Sequence, residues 1–311
     1  MSSPSESSPP LLRLGTRGSL LARTQSEWTA DQLRRRHPGL RVDLIVISTT
    51  GDRITDRPLA DAGGKGLFTK ELELALLAGE IDFAVHSLKD VPVTMPLVDQ
   101  SDLTLAAIPP REDARDVLVS HMGKTLADLP PRTKIGTGSL RRRCQILAAR
   151  PDAVVEPLRG NVDTRLRKLD HGECGAIVLA LAGLKRLGKF DPQYMTPIDP
   201  QILLPAAGQG ALALQCRRSD AETARLLSAI DDPTTRHAVF IERAVVQGLN
   251  GDCYSPIAAL ADINDVRLSL KARLGLPNGH VKSANIETSL TDWKSAVSAA
   301  CRALLGGENW A

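Results

Sequence analysis

Apolar positions recur along this chain with two periods, and the switches between them predict the elements. Short apolar or alternating runs at 11–14, 41–48, 81–85 and 103–108 read as strands. Residues 20–37 carry a helical pattern that Pro38-Gly39 stops. Phe68, Leu72 and Leu76 recur every four residues and so share one face of a further helix, behind the glycine run 62–66. In 41–48, Val42, Leu44 and Val46 alternate with polar positions while Ile45 and Ile47 add a second apolar face. That pattern predicts a strand covered on both sides.

Past Pro109-Pro110-Arg111-Glu112-Asp113, which reads as a hinge, the alternation resumes. Strands are expected at 116–120, 134–136, 154–158 and 176–179, with helices at 139–150, 162–171 and 181–187. Repeated strand–helix units argue for a largely parallel sheet. Pro205-Ala206-Ala207-Gly208-Gln209-Gly210 reads as a second crossing that feeds a strand at 211–215 back into the first unit. From about residue 233 the order changes to a helix at 234–247, a loop around Cys253, strands at 257–261, 266–274 and 280–286, and a helix at 292–305. The expected organisation is an α/β chain. Residues 11–108 and 206–228 form a first α/β domain, 109–205 a second α/β domain, and 229–311 a small α+β third domain. The Ser/Pro-rich residues 1–10 read as a disordered tail.

Composition narrows the function classes. A chain of 311 residues is long for one core. A net charge of +3, from 39 Lys and Arg against 36 Asp and Glu, does not suggest bulk nucleic-acid binding, and 3% aromatics leave few stacking platforms for bases. No apolar run approaches the roughly 20 residues that span a bilayer. The start of the chain lacks the basic and apolar parts of a secretory leader, so a cytoplasmic location is expected. Cys144, Cys174, Cys216, Cys253 and Cys301 are odd in number, widely spaced and free of CxxC pairs; neither a metal nor a disulfide framework is expected. Cys253 stands apart because Gly251-Asp252-Cys253-Tyr254-Ser255-Pro256 is a loop. It is either incidental or an accessible thiolate able to form a covalent anchor.

The stretch from Ile81 to Pro92 runs from an apolar strand into Lys89-Asp90. In open α/β sheets ligands bind beyond the carboxyl ends of the strands. A lysine and a carboxylate there could hold an anion and steady a cation; a solvated loop pair is the plainer reading. His86 reads as a packed strand residue rather than a general base. The second signal is an arginine load, Arg132, Arg141, Arg142, Arg143, Arg150, Arg159, Arg165 and Arg167, against only Asp152, Glu156 and Asp163. Gly136-Thr137-Gly138-Ser139 and Leu158-Arg159-Gly160-Asn161 both stand at strand-to-helix turns, where helix amides attract anions. A solvated basic face and a nucleic-acid groove are alternatives. A small polyanion is favoured because the arginines recur at turns and aromatics are absent among them. Arg17 and Ser19, at the first such turn, could face the same ligand. The run Ala62-Gly63-Gly64-Lys65-Gly66 lacks the order of a phosphate-binding loop and reads as a lid carrying Lys65.

Seven stretches together resemble the porphobilinogen deaminase (hydroxymethylbilane synthase) family: 16–19, 63–68, 85–92, 136–142, 158–162, 205–210 and the Cys253 loop, in family order over all but the tail. The resemblance implies two domains like the halves of a periplasmic binding protein, with the active site between them, plus the small C-terminal domain. It implies a transferase of porphyrin and heme biosynthesis that joins four porphobilinogen molecules head to tail into hydroxymethylbilane and releases ammonia. It also implies a dipyrromethane cofactor bound by thioether to Cys253. On this resemblance Asp90 is catalytic. Arg17, Ser19, Lys65, Lys89, Thr137, Ser139, Arg141, Arg142, Arg159, Arg165 and Gln209 hold substrate and cofactor carboxylates, while Gly63, Gly64 and Phe68 belong to a lid and its hinge. The accompanying expectations are porphobilinogen as partner, no nucleic acid, no membrane, and a monomer. Gly138 departs from the family's second serine, and Asp252, Tyr254 and Ser255 depart around Cys253. A non-catalytic solute-binding module is the competing class; it would need neither Cys253 nor a cytoplasmic location.

Overall fold

The computed structural model describes residues 11–53, 66–93, 102–276 and 280–306. The expected tail at 1–10, and Gly63, Gly64 and Lys65 of the expected lid, lie outside these residues. In chain order the first elements are β1 (Leu11–Thr16), α1 (Leu20–Arg36), β2 (Arg41–Val46), α2 (Thr50–Arg53), α3 (Lys70–Leu77), β3 (Phe83–Ser87) and β4 (Leu103–Ala107). Then come β5 (Asp116–Val119), β6 (Lys134–Gly136), α4 (Leu140–Ala149), β7 (Val154–Glu156), α5 (Val162–Asp170), β8 (Ala176–Ala180), α6 (Leu181–Arg186) and β9 (Met195–Pro197). The chain continues through β10 (Leu212–Arg217), α7 (Ala221–Ser228), α8 (Pro233–Gly248), β11 (Ile257–Asn264), β12 (Arg267–Gly275), β13 (Val281–Ser289) and α9 (Trp293–Leu305).

The strands form one sheet of order β2-β1-β3-β10-β4, a second of order β7-β6-β8-β5-β9, and a third of order β11-β12-β13. β3 is central in the first sheet, which explains its unbroken apolar run. Phe83 and Val85 pack with Leu14, Leu33 and Leu214 on one side, and Ala84 packs with Leu72, Leu76 and Leu103 on the other. The helices start where the sequence offers a cap. The hydroxyl of Ser19 accepts from the amide of Ala22, that of Ser139 from Arg142, and the side chain of Asn161 from Thr164.

Three expectations are corrected. The sheets are mixed rather than largely parallel: β10 runs antiparallel to β3 and β4, and β5 runs antiparallel to β8 and β9. In each sheet the reversed strand is the one that enters from a crossing, which strand–helix counting cannot see. β2 is an edge strand with Val42 buried but Val46 57% exposed on the same face and Ile45 38% exposed on the other, where Ile47 packs beside Leu72 and Leu76, so neither face is fully covered. The helix expected to include Phe68 begins only at Lys70, which leaves Phe68 in the preceding turn. β9 and α7 were not anticipated.

Candidate functional site

Beyond β3 the chain makes a single 3-10 turn, Leu88–Asp90, and this turn is pinned on three sides. The Leu88 side chain is 1% exposed and its amide donates to the Ala211 carbonyl at 3.0 Å. Arg243 of α8 donates to the carbonyls of Val91 and Pro92 at 2.7 and 2.6 Å. Asp90 therefore projects from a fixed backbone. Among the described residues its carboxylate makes no hydrogen bond and no ion pair within 4 Å. It lines a small pocket with Arg17, Gln25, Phe68, His86 and Ser87. The Arg17 guanidinium lies over the Phe68 ring, 4.0 Å from its centroid. Beneath the pocket His86 is buried, and its Nε2 lies 2.9 Å from Oε1 of Gln215, whose amide donates to fully buried Glu73 at 3.1 Å. Burial first, then the Arg17 charge, lowers the His86 pKa to about 4 against the raising effect of Gln215. The imidazole is thus a neutral, packed group, as the sequence suggested.

Lys89 is half-buried. Loss of hydration lowers its pKa to about 8; Asp90 and Asp116 oppose the shift, while Arg142 and Arg141 add to it. Those partners place Lys89 of the first sheet's turn within the field of β5 and α4.

The arginine cluster divides in two. Arg150 pairs with Asp152, Lys134 with Glu156, and Arg143 donates to the Val155 carbonyl; these are local contacts away from the turn of Asp90. Arg141 and Arg142 are only 4% and 5% exposed. Arg141 Nη1 donates to Asp116 Oδ2 at 2.8 Å and to the Leu204 carbonyl at 2.6 Å. Arg142 donates through Nε and Nη2 to Asp116 Oδ1 at 3.0 and 2.7 Å, and through Nη1 to the Val178 carbonyl at 2.9 Å. Arg141 spends both Nη1 hydrogens on these acceptors and keeps its Nε and Nη2 donors, whereas Arg142 spends three of its five and keeps one on each Nη, so the protein's own acceptors take part of each fork. Gln209 is engaged more completely. Its Nε2 donates to the Ala114 carbonyl at 2.7 Å and to Asp116 Oδ1 at 2.9 Å, and its Oε1 is buried without a partner among the described residues. With both donors used, Gln209 offers an acceptor and not a donor to a carboxylate.

Ser19 and Ser139 both cap helices, and Thr137 Oγ1 accepts from the Ser139 amide at 3.2 Å. Half-buried Arg165 donates through Nε to the Gly160 carbonyl at 2.8 Å. Desolvation and then Arg142 lower its pKa to about 10; Asp90 raises it and Arg159 lowers it, so these four groups are neighbours. Gly160 has φ +112°, and a Cβ there would lie 2.5 Å from the Thr164 side chain, so glycine is required at that turn. At Gly138 an added Cβ would sit 3.2 Å from the Leu158 carbonyl oxygen, a tight contact that glycine avoids.

Cys253 is the exposed cysteine of the five. The flanking departures build its turn: the Asp252 side chain accepts from the Tyr254 amide and the Ser255 hydroxyl, each at 2.9 Å, and Ser255 Oγ accepts from the Asp252 amide at 3.0 Å. Desolvation, then Asp90 and Asp252, push the thiol pKa up to about 12. The expectation of a thiolate is therefore corrected to a neutral thiol beside Asp90. Asp90 also raises the pKa of Tyr254. Asp90, Arg165 and Cys253 thus converge from the first, second and third sheets' segments.

Residues that sequence reading passed over are Asp116, Gln25, Gln215, Glu73 and Arg243. Asp116 had one visible signal, a charge at the head of the apolar run Asp116-Val117-Leu118-Val119.

Two family models match the chain. "Porphobilinogen deaminase, dipyromethane cofactor binding domain" covers residues 12–225, and "Porphobilinogen deaminase, C-terminal domain" covers residues 237–303. The chain is 48% identical over 272 residues to the porphobilinogen deaminase of Streptococcus sanguinis (strain SK36), covering 86% of this chain and 88% of that protein. It is likewise 48% identical over 270 residues to the porphobilinogen deaminase of Roseiflexus sp. (strain RS-1), covering 87% and 88%. Among solved structures, the methionine-binding protein MetQ matches 76% of this chain and 97% of that one at 14% identity and a TM-score of 0.44, too slight a likeness to bear on function.

Proposed function

The chain belongs to the porphobilinogen deaminase family, and from that premise we propose how its own residues join four porphobilinogen molecules into hydroxymethylbilane with loss of ammonia. The observation that carries this reading is Asp90, a carboxylate on a rigid turn that has no partner among the described residues and is neighboured by the Cys253 thiol and by Arg165. A polyanionic dipyrromethane with two pyrrole N–H donors suits that set: a thiol to bond, a carboxylate to accept, and cations around them. Bound through a thioether to Cys253, it supplies the pyrrole carbon on which the product is extended.

Asp90 stabilises positive charge on porphobilinogen as ammonia leaves, giving an azafulvenium-like cation, and its oxygens align pyrrole N–H groups. Lys89, Arg159 and Arg165 hold acetate and propionate groups, while the surplus charge of Arg141 and Arg142 draws anions toward the cleft. Arg17, braced by Phe68, orients the incoming ring. Ser19, Thr137 and Ser139 order the turns that present helix amides to carboxylates.

In this reading residues 11–108 with 206–228, residues 109–205 and residues 229–311 are three domains, and the protein acts as a monomer in the cytoplasm. Incubation with porphobilinogen, with ammonia and linear tetrapyrrole measured beside intact mass, tests it. The expected result is turnover by protein that carries two extra pyrrole units mapped to Cys253. Protein with neither turnover nor added mass would overturn it.

A further inference from the structure

Asp116 is fully buried and is, among the described residues, the one carboxylate that meets both Arg141 and Arg142, at 2.8 and 2.7 Å, as well as the amide of Gln209 at 2.9 Å. These three side chains come from separate places: the two arginines from the first turn of α4, and Gln209 from the crossing between the first two sheets. Two adjacent guanidinium groups repel each other, and a buried cation without a partner is costly. One carboxylate shared by two arginines leaves a local surplus of one positive charge. The same carboxylate decides which way the Gln209 amide faces, because only its nitrogen can be turned toward Asp116.

We propose that Asp116 is the positioning residue of this site, holding Arg141, Arg142 and Gln209 in register and setting how much positive charge reaches Lys89 in the cleft. The proposal rests on the deaminase reading and assigns Asp116 no contact with substrate. Lys89 is the natural reporter. Asp90 adjoins it in sequence; Asp116 of β5 and Arg141 and Arg142 of α4 act on it from the second sheet's segment, and Arg243 of α8 fixes the backbone just after it. The Asp116 anion supports the Lys89 cation. Its removal leaves the arginine charges unbalanced and moves Lys89 titration to lower pH.

The test follows KM for porphobilinogen against pH on cofactor-loaded protein. In the wild type KM rises as Lys89 loses its proton. Lys89→Arg abolishes the rise, because arginine does not titrate in this range. Asp116→Asn moves the midpoint down by on the order of one unit and lowers kcat/KM. A structural role alone would change the unfolding midpoint and leave the pH midpoint in place.

Where Asp116→Asn does not fold, the double variant Asp116→Asn/Arg142→Gln removes one charge of each sign and restores the surplus of one. It is expected to keep the wild-type pH midpoint while kcat/KM falls about tenfold or more, because the register is lost. An Asp116→Asn protein with the wild-type midpoint, or a double variant with wild-type kcat/KM, overturns the proposal. Wild-type protein that releases no ammonia would instead overturn the deaminase reading.

Discussion

The guanidinium of Arg17 lies 4.0 Å from the centroid of the Phe68 ring, joining the turn after β1 to the turn before α3. Each residue holds the other over the pocket that Asp90 lines. A cation over an aromatic face contributes about 0.5–2 kcal/mol according to how far it is desolvated. Phe68→Leu is therefore expected to raise KM for porphobilinogen roughly 2- to 30-fold, with kcat nearly unchanged and the unfolding midpoint retained. Steady-state kinetics with a parallel thermal melt checks this.

The two groups of arginines are expected to fail differently. Arg142→Leu leaves Asp116 buried with half its compensation and is expected to cost about 3 kcal/mol or more of stability. Arg159→Leu, at a half-buried turn position, is expected to cost less stability than Arg142→Leu and to impair assembly of the bound group or stall elongation. Denaturant unfolding of both variants, beside intact-mass profiles during turnover, separates the two roles.

His86 gives a pH signature. Its pKa is about 4 in the folded protein and about 6.5 in the unfolded chain. Between those values the unfolded chain binds the extra proton, so stability falls as pH is lowered through that window. The loss attributable to His86 at pH 5 is on the order of 2 kcal/mol relative to pH 7.5. His86→Gln is expected to flatten the slope by that amount, since the carboxylates contribute alike to both proteins. Urea unfolding at several pH values provides the comparison.

Cys253 is expected to alkylate slowly in protein lacking the bound group, because Asp90 and Asp252 disfavour the thiolate. Asp90→Asn removes one of those charges, lowers the thiol pKa and speeds labelling at pH 8. Mass spectrometry of the Cys253 peptide over time reads this directly; equal rates in the two proteins would remove Asp90 from the neighbourhood of the thiol.

The local structure was legible because its causes are local. The caps Ser19, Ser139 and Asn161, the stop at Pro38-Gly39 and the apolar core of β3 each lie within a few residues of what they determine. The turn of Lys89 and Asp90 was equally readable from an apolar run ending in charge. What escaped was set by distant partners. Arg141 and Arg142 meet Asp116 some 25 residues earlier in the chain, so their arginine content announced an anion without saying that the protein supplies one itself. The donors of Gln209 are consumed in the same way, across 93 residues. The exposure of Ile45 and Val46 follows from the position of β2 at a sheet edge, a property of the whole sheet and not of the strand.

The central claim is that Asp90 acts through its charge. The most direct measurement is single-turnover ammonia release from porphobilinogen on cofactor-loaded wild type, Asp90→Asn and Asp90→Glu. Asn keeps the size and removes the charge, so its rate is expected to fall by on the order of 10²–10³ or more, while substrate still binds through the arginines. Glu keeps the charge about one methylene away and is expected to retain more activity than Asn. Wild-type rates in Asp90→Asn with an inactive Asp90→Glu would show that shape rather than charge matters, and would contradict the account.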